Sequence, residues 1–490
     1  MEAEASRKGN SIVTEQAPHR VRHFTEYLWA HSDDLGMLML AGLALVIIWG
    51  VSRVEYFPHR GFHIVAREAI SGDAPHYLII VNSLLFDHSF EVQNAYDRVA
   101  NGGLDAGARF RHGLPDHHTI LVNRRTGHQT LWKFYLAGNT MRNPLPEFRA
   151  GPDVYEVPAH PVAFPALMAI LLMPFHPPPD HVESDVGLLL VLIGWAGTLA
   201  TYLMARRGGF GRGPALIAAG ILLLASPWLA YSRDYFTETT IGLCLALAIW
   251  AWTDDRPIVA ALFAAGAMLI KPPFALVGAG FVIEALREWR LRDAVKMALT
   301  LGVFGLALCG FNYWLAGTPV IAGAVAWQPA LNLEALRDTL IHPEHGLVVF
   351  APWTVFAVFP IGIAFDRFDA GSAMLRRMAW PLILFLVLLS ITNFGPGYCY
   401  GPRYWVPFLP WLAVATVQAL RFAGLRGRIV CALLILIGVA IAIPGTLQLP
   451  QMYSKPPSAA WQAIDHLAGL DYRWRRAMVL RGLERPPVSF

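Results

Sequence analysis

The topology of this chain depends on the stretch "HPVAFPALMAILLMPF", residues 160–175. The stretch is apolar, but Pro161, Pro165 and Pro174 leave only about a dozen residues for an uninterrupted helix. A bilayer core requires roughly 20 apolar residues as helix, and a stretch of 10–14 is more typical of an interfacial helix. Whether residues 160–175 cross the membrane decides the side on which every later loop lies.

The composition indicates a helical membrane protein with many spans. The chain has 490 residues, of which 55% are apolar and 15% are charged, and its mean hydropathy is +0.43. These values exclude an ordinary soluble globular domain. The net charge of +4 is carried by short arginine clusters between apolar runs. That pattern is typical of membrane orientation, and it predicts no nucleic-acid partner.

The apolar runs predict an all-α polytopic membrane protein with about eleven transmembrane helices. The four cysteines show no disulfide or zinc spacing. The predicted spans cover residues 35–51, 185–205, 213–231, 236–252, 257–270, 273–287, 294–315, 346–365, 378–393, 404–420 and 428–446.

The distribution of positive charge favours leaving residues 160–175 out of the membrane. With the N-terminus inside, the predicted cytoplasmic links then carry 14 positive residues: Arg206, Arg207, Arg212, Arg256, Arg287, Arg290, Arg292, Lys296, Arg367, Arg376, Arg377, Arg421, Arg426 and Arg428. The opposite links after residue 175 carry four: Arg233, Lys271, Arg337 and Arg403. Positive residues concentrate on the cytoplasmic side of membrane proteins, so 160–175 is predicted to be interfacial.

This topology divides the chain into three parts. Residues 1–34 form a cytoplasmic segment, residues 35–446 form the transmembrane domain, and residues 447–490 form a tail on the extracytoplasmic side. The first extracytoplasmic loop covers residues 52–184 and includes surface helices at 74–87 and 160–175. The alternation in "TILVNRRTGHQTLWKF", 119–134, predicts a β-hairpin. Residues 88–118 and 135–159 are predicted to be ordered loop.

Polar and charged residues from several separate segments fall on the extracytoplasmic side at about one depth. Asp234 and Glu238 are four residues apart, which predicts that they share a helical face. Pro75 suits the first turn of the first surface helix, where Asp73 precedes an apolar stripe. The candidate site consists of Asp73, His76, Tyr77, His160, Arg233, Asp234, Glu238, Lys271, His345 and Arg403.

The order of these segments resembles the GT-C superfamily of membrane glycosyltransferases that use polyprenyl-phosphate sugars, such as protein O-mannosyltransferases and lipid A aminoarabinose transferases. "GDAPHYLIIVNSLL" resembles their first-loop Asp-Glu motif and juxtamembrane helix, and "HPVAFPALMAIL" resembles the following helix. The stretch "ARRGGFGRGPALIAAGILLLASPWLAYSRDYFTETT" resembles their second and third spans. "AMLIKPPFAL", "HGLVVFAPW" and "YGPRYWVPFLPWLA" resemble later segments. The match covers most of residues 35–420.

The resemblance implies an inverting sugar transfer from a polyprenyl-phosphate donor to a lipid, glycan or protein acceptor. It places the protein in a bacterial inner membrane, among membrane lipids, with the site facing the periplasm. Asp73 would be the catalytic base, and Asp234 or Glu238 a second carboxylate that orients the acceptor or a divalent cation. Lys271 and Arg403 would bind the carrier phosphate. Where many members have Asp-Glu, this chain has Asp73-Ala74, so a metal site on that dipeptide is in doubt.

Each candidate also has a purely structural alternative. Asp73 could only cap its helix, Arg233 and Asp234 could form an interfacial ion pair, Lys271 could extend to the interface, and Arg403 could stabilise a turn. The histidine-rich stretch "RHGLPDHH", 111–118, leaves a metal site open. A non-catalytic scaffold and a transporter are the alternative functions.

Overall fold

The structure is a computed structural model. It describes residues 54–57, 61–64, 73–100, 119–123, 125–126, 128–132, 153–179, 181–319, 331–342, 345–358, 370–391 and 401–447, together with residues 42 and 46. All of these except residues 42 and 46 belong to one compact unit, residues 49–490. The rest of the predicted first span, residues 1–34 and 448–490, and the histidine-rich stretch 111–118 lie outside the described residues.

The described part of the chain is mostly helical. The helices are α1 (Ala74–Asn82), α2 (Gln93–Ala100), α3 (Ala163–Leu172), α4 (Val182–Arg207), α5 (Arg212–Leu224), α6 (Trp228–Tyr231), α7 (Glu238–Thr253), α8 (Pro257–Ile270), α9 (Ala275–Arg287), α10 (Leu291–Ala316), α11 (Leu333–Ile341), α12 (Leu347–Phe350), α13 (Ala370–Arg377), α14 (Ala379–Ile391), α15 (Leu409–Phe422) and α16 (Leu425–Leu447). Short 3-10 turns cover Met173–Phe175, Pro272–Phe274, Pro352–Thr354 and Arg403–Phe408, and a π-helical turn covers Ser83–Asp87.

The count of about eleven spans is not confirmed. Four helices within the described residues are long and apolar enough to cross a membrane: Val182–Arg207, Leu291–Ala316, Gly371–Ile391 and Leu425–Ile443. Four more apolar helices are shorter. Proline accounts for several interruptions because it lacks the backbone N–H that continues a helix. The predicted span 213–231 is broken before Trp228, next to Pro227, and the predicted spans 257–270 and 273–287 are separated at Pro272.

The described residues between 52 and 184 include five strands, so the all-α fold class is wrong for this part of the chain. β1 (Val54–Phe57) pairs with β2 (Gly61–Ile64), and β3 (Thr119–Asn123) pairs with β4 (Gln129–Trp132), both antiparallel. The predicted hairpin at 119–134 is therefore confirmed. β5 (Val154–Pro158) adds a third strand beside β3, and α2 lies within 88–118. The sequence predicts ordered loop for both 88–118 and 135–159. A single edge strand and a two-turn polar helix leave little local pattern in a sequence, so β5 and α2 were missed.

The three-stranded sheet packs against the end of α10. Ile120, Val122 and Val157 form one apolar cluster with Leu315 and Ala316. The hydroxyl of Tyr155 also donates to the carbonyl of Leu315, at 3.2 Å. The loop is thereby tied to the helical part of the molecule.

The two predicted surface helices are present, but they differ in their surroundings. Residues 74–82 are buried on every face, so the prediction that α1 is a surface helix with a single apolar stripe is wrong. α3, in contrast, leaves Leu167, Ile170 and Leu171 exposed. Both helices are apolar, and α1 packs against α3 and α4. Only α3 presents apolar side chains outward.

A close approach between helices fixes the chain that follows α5. The indole of Trp228 is fully buried and donates to the carbonyl of Gly194 on α4, at 3.0 Å. Gly197 on α4 and Gly242 on α7 also lie against this ring, where a Cβ on Gly242 would come within 2.6 Å of it. Glycine is required at these positions because any larger residue would displace Trp228 and the turn that it anchors.

Candidate functional site

Four charged side chains from four segments meet at one end of the helices. The Arg403 guanidinium lies between two carboxylates: its Nη2 is 2.5 Å from Oδ2 of Asp73, and its Nε is 2.8 Å from Oε1 of Glu238. The Lys271 ammonium donates to the same Glu238 oxygen at 2.9 Å. We name Asp73, Glu238, Lys271 and Arg403 the Arg403 cluster. It joins four of the residues that the sequence predicted.

Each member of the Arg403 cluster lies where a helical segment begins or ends. Glu238 is the first residue of α7, and Lys271 directly follows the last residue of α8. α7 and α8 are consecutive, pack against each other and run in opposite directions, so the start of one lies near the end of the other. Asp73 precedes α1, and Arg403 opens the 3-10 turn before α15. A carboxylate at a helix N-terminus is favoured by the helix dipole, which supports Glu238 in its position.

Asp73 does not cap its helix with its side chain, so the capping alternative is wrong. Only its backbone carbonyl takes part, accepting from the Tyr77 amide at 3.1 Å. The carboxylate turns instead to Arg403, and its Oδ1 lies 3.9 Å from Nε2 of His160. The side chain is thus held toward other charged and titratable groups.

Lys271 does not extend away from the protein, as an interfacial lysine would. Its ammonium is bound to Glu238 and lies 4.7 Å from the centre of the Tyr404 ring. Burial lowers the pKa of Lys271, while the negative charge of Glu238 opposes that shift. The residue is therefore a half-buried partner of the buried Glu238.

Two aromatic residues of the site were missed by the sequence analysis. The Arg403 guanidinium carbon lies 4.1 Å from the ring centre of Phe236 and 5.8 Å from that of Tyr404. Aromatic faces attract cations through their electron density. Phe236 and Tyr404 are close in sequence to Asp234 and Arg403 respectively, and this adjacency was the available signal.

His76, Tyr77 and His160 form an aromatic group beside Asp73. The ring of His160 lies 5.1 Å from that of Tyr77 and 5.9 Å from that of His76, measured between ring centres. Nδ1 of His76 is hydrogen-bonded to the hydroxyl of Tyr96, at 2.5 Å. Burial raises the pKa of Tyr77 well above its usual value, and the negative charge of Asp73 adds to this effect. Tyr77 therefore stays a neutral phenol that can donate a hydrogen bond.

Asp234 lies in the turn before α7, so the prediction that it shares a helical face with Glu238 is wrong. α7 begins at Glu238, and Oδ1 of Asp234 accepts from the backbone amide of Tyr235 at 2.8 Å. Burial raises the pKa of Asp234 to about 6. The hydrogen bond from the Tyr235 amide and the positive charges of Arg233 and Arg403 act in the opposite direction and lower this pKa.

Two predicted binding residues contact groups away from the Arg403 cluster. The Arg233 guanidinium donates to the backbone carbonyl of Thr446, near the end of α16. The His345 ring stacks on His342, with 4.1 Å between ring centres. Burial lowers the pKa of His345 to about 4, so it is neutral at physiological pH. These contacts give Arg233 and His345 evident packing roles.

The second oxygen of Glu238 marks a place for a polar ligand. Oε2 of Glu238 is buried, and it accepts no hydrogen bond from the described residues. A buried carboxylate oxygen without a donor costs free energy, about 1–3 kcal/mol or more for a charged group. A hydroxyl group of a bound ligand would remove that cost.

A divalent cation between Asp73 and Glu238 does not fit these residues. Their facing oxygens already accept from Arg403, and Lys271 holds the same Glu238 oxygen. Two unit charges 4 Å apart interact by about 4 kcal/mol at an effective dielectric constant of 20, so a doubly charged ion would meet about twice that repulsion from each cation. Within the described ranges, no three His, Cys, Asp or Glu side chains are placed to hold a metal.

Comparison with known proteins identifies the fold. No protein family matches the sequence, and no curated protein matches it. The crystal structure of ArnT from Cupriavidus metallidurans in the apo state matches with a TM-score of 0.50 and 15% identity, over 92% of this chain and 73% of that chain. The archaeal oligosaccharyltransferase AglB from Archaeoglobus fulgidus, in complex with an inhibitory peptide and a dolichol-phosphate, gives a TM-score of 0.45 and 13% identity, over 88% of this chain and 55% of that one. ArnT and AglB are GT-C glycosyltransferases. The likeness to ArnT shows that this chain has the GT-C fold, as its sequence predicted.

Proposed function

We propose that this protein transfers a sugar from a polyprenyl-phosphate donor to an acceptor at the extracytoplasmic face of the membrane, with inversion at the anomeric carbon. The acceptor is a lipid, a glycan or a protein. The observation that carries the proposal is the Arg403 cluster, in which Arg403 joins Asp73 to Glu238 at the ends of apolar helices. The GT-C fold supports the reaction class, the resemblance to bacterial members of the superfamily supports a bacterial inner membrane, and the positive-charge distribution supports a site facing the periplasm.

Asp73 is the catalytic base in this proposal. Its carboxylate takes the proton of the acceptor hydroxyl as the acceptor oxygen attacks the anomeric carbon. The bond between that carbon and the carrier phosphate breaks, and its electron pair stays on the phosphate oxygen. Because the leaving group is already an anion near neutral pH, no general acid is required. Arg403 holds Asp73 in place through the 2.5 Å contact.

Lys271 and Arg403 are the proposed ligands of the carrier phosphate. Charge-assisted hydrogen bonds from lysine or arginine to phosphate are stronger than those between neutral groups. Arginine has five N–H donors in a planar fork, so a guanidinium that holds two carboxylates can also donate to a phosphate oxygen. Both cations also stabilise the negative charge that grows on the leaving phosphate.

The remaining polar residues surround the sugar and the acceptor. Oε2 of Glu238 would accept a hydrogen bond from a hydroxyl of the sugar, and Asp234 would orient the acceptor. Tyr77, as a buried phenol, donates to the ligand, while His76 and His160 line the same side as Asp73. The apolar side chains exposed on α3 face the lipid, beside the carrier's hydrocarbon chain.

The proposal is tested with the full-length protein in proteoliposomes. Mass spectrometry of co-purified lipid first identifies the carrier, and transfer of labelled sugar from that carrier is then measured. We expect Asp73→Asn to lower the transfer rate about 10²–10⁴-fold, the usual contribution of a positioned base. Because the Asp73 side chain does not cap α1, the amide removes no cap.

The matched control is Asp255→Asn, at the opposite end of α7. Asp255 also pairs with an arginine, Arg290 at 2.7 Å, but it is largely exposed. We expect the control to transfer sugar like the wild type. Carrier binding without transfer in the wild type would overturn the enzyme proposal in favour of a non-catalytic scaffold. Full activity in Asp73→Asn would show that Asp73 is not the base, and Asp234 and Glu238 would then be the remaining candidates for that role.

A further inference from the structure

Arg403 lies where a bridging cation would lie between two carboxylates. We infer that its guanidinium takes the place of a divalent metal ion at this site, and that the transfer reaction needs no divalent metal. The inference about the reaction rests on the proposed function. The inference about the site does not, because it concerns only which cation Asp73 and Glu238 hold.

The geometry suits a guanidinium. The planar fork of arginine presents its N–H donors in fixed directions that match carboxylates. Nη2 contacts Asp73 at 2.5 Å, and Nε contacts Glu238 at 2.8 Å. The ring of Phe236 lies 4.1 Å from the guanidinium carbon. The cation is therefore held by two anions and an aromatic face, and its side chain is buried.

The residue after Asp73 points the same way. Magnesium and manganese are hard ions that take oxygen ligands, commonly more than one carboxylate or phosphate. Ala74 supplies a methyl group there, and it is fully buried. Asp73 alone contributes a carboxylate from the start of α1, and that carboxylate is bound to Arg403. A second carboxylate and a divalent ion would together add one net positive charge to the site. The Arg403 guanidinium adds the same net charge by itself.

A fixed guanidinium also does the chemical work that the site requires. Arginine cannot be deprotonated in proteins, so its positive charge is present at any working pH. This charge is also independent of the concentration of metal ions outside the membrane. In the transfer step this charge stands beside the phosphate as its oxygen gains the electron pair of the broken bond. No proton passes to or from Arg403.

The first test measures Mn²⁺ binding to the full-length protein in detergent, by electron paramagnetic resonance of the free ion. We expect the wild type and Asp73→Asn to bind the same amount of Mn²⁺, because Asp73 holds no ion in the wild type. In Arg403→Met the two carboxylates lose their shared cation, and we expect a Mn²⁺ site to appear that the further substitution Asp73→Asn removes. Thermal unfolding checks that each variant is folded.

Two results of this test would overturn the inference. One is an Asp73-dependent Mn²⁺ site in the wild type, which would show that metal and arginine are both present. The other is a folded Arg403→Met variant that binds no more Mn²⁺ than the wild type, which would show that Arg403 is not what excludes the ion. Neither result depends on sugar transfer, so the site inference is judged even if the proposed function fails.

The second test uses activity. Wild-type transfer is measured after extensive dialysis against EDTA, with and without millimolar Mn²⁺ or Mg²⁺. We expect rates within twofold of each other under all conditions. Arg403→Lys keeps one positive charge but lacks the planar fork that holds both carboxylates in fixed directions, so we expect it to lose at least tenfold in rate. Loss of activity in EDTA that Mn²⁺ restores would show that a metal is required.

Discussion

The two ends of the central helices carry the same kinds of charged residue in different surroundings. At the Arg403 cluster, Glu238 is 1% exposed and receives both Lys271 and Arg403 on one oxygen. At the other end of α7, Asp255 is 67% exposed and pairs with Arg290. We name Asp254, Asp255, Arg290 and Arg377 the Asp255 cluster.

The Asp255 cluster is an ion-pair network in which Asp255 is exposed to solvent. Arg207 and Arg256 pair with Asp254, and Arg377 lies 3.6 Å from Asp255. Arg290 and Arg377 also flank the ring of Trp252, at 4.3 and 5.1 Å from its centre. Exposed pairs contribute about 0–1 kcal/mol each, because water already solvates both partners.

The two clusters differ in how far their charges are removed from water. A buried ion pair is costly to desolvate and does not by itself stabilise a fold more than apolar packing would. The Arg403 cluster is thus better explained by chemistry than by stability. Arg290 and Arg377 of the Asp255 cluster, and Arg207 and Arg256 that pair with Asp254, are four of the 14 positive residues of the predicted cytoplasmic links.

The largest expected effect is an all-or-none difference in labelling between the two ends. In a variant lacking the four native cysteines, Arg125→Cys lies in the exposed turn between β3 and β4, and Arg426→Cys is exposed in the first turn of α16. We expect an impermeant thiol reagent added outside to label the first and not the second. Labelling of both, or the reverse pattern, would place the Arg403 cluster in the wrong compartment.

The next effect is on stability. Glu238→Gln removes the carboxylate that Lys271 and Arg403 share, and it leaves buried cations poorly compensated. We expect it to lower the free energy of unfolding by about 3–5 kcal/mol, as breaking a buried pair does. Asp255→Asn should lower it by about 0–1 kcal/mol. Thermal unfolding in detergent compares the two, and equal losses would contradict the distinction between the ends.

A smaller effect concerns carrier affinity. Lys271→Met keeps the apolar stem and removes the ammonium, while Arg403 still pairs with Glu238. A charge-assisted hydrogen bond contributes roughly 1.5–3 kcal/mol, so we expect carrier affinity to fall about ten- to a hundred-fold. Arg290→Met is the control at the Asp255 cluster. Unchanged carrier affinity in Lys271→Met would limit Lys271 to supporting Glu238.

The smallest effect is on the pH dependence, through Asp234. Its pKa of about 6 means that the carboxylate is protonated as the pH falls through that value. We expect the transfer rate to fall about tenfold per pH unit below it, since each unit removes that share of the ionised form. In Asp234→Asn the activity is lower and this acidic limb is absent. A limb that persists in the variant belongs to another group.

The stability linked to Asp234 changes in the opposite direction. The native state keeps this proton up to about pH 6, whereas the unfolded chain releases it near 3.8. The unfolded state therefore binds fewer protons between those values, and the stability contribution of Asp234 falls as the pH rises. Unfolding of Asp234→Asn should lack this fall. His345, with a pKa of about 4, is neutral at the upper end of this range.

The sequence by itself determined the elements whose signals are local. Lengths of apolar runs, with prolines between them, predicted α4, α8 and α10 nearly at their observed bounds, and alternation around a turn predicted the β3–β4 hairpin. The ends of the apolar runs also predicted the helix ends, where a charged side chain need not lie in the apolar part of the membrane. Asp73, Glu238, Lys271 and Arg403 were found for that reason, before any contact between them was known.

Only the tertiary structure decided which of these residues meet. Asp73 and Arg403 are 330 positions apart, and no local pattern records that their side chains touch. Burial of α1, addition of β5 to the hairpin and the start of α7 after Asp234 likewise depend on neighbours from distant segments. Packing between helices fixes those neighbours, because each helix can bury its faces in several ways and the whole set of contacts selects one. The contact of Arg403 with both Asp73 and Glu238 could therefore be found only in the folded chain.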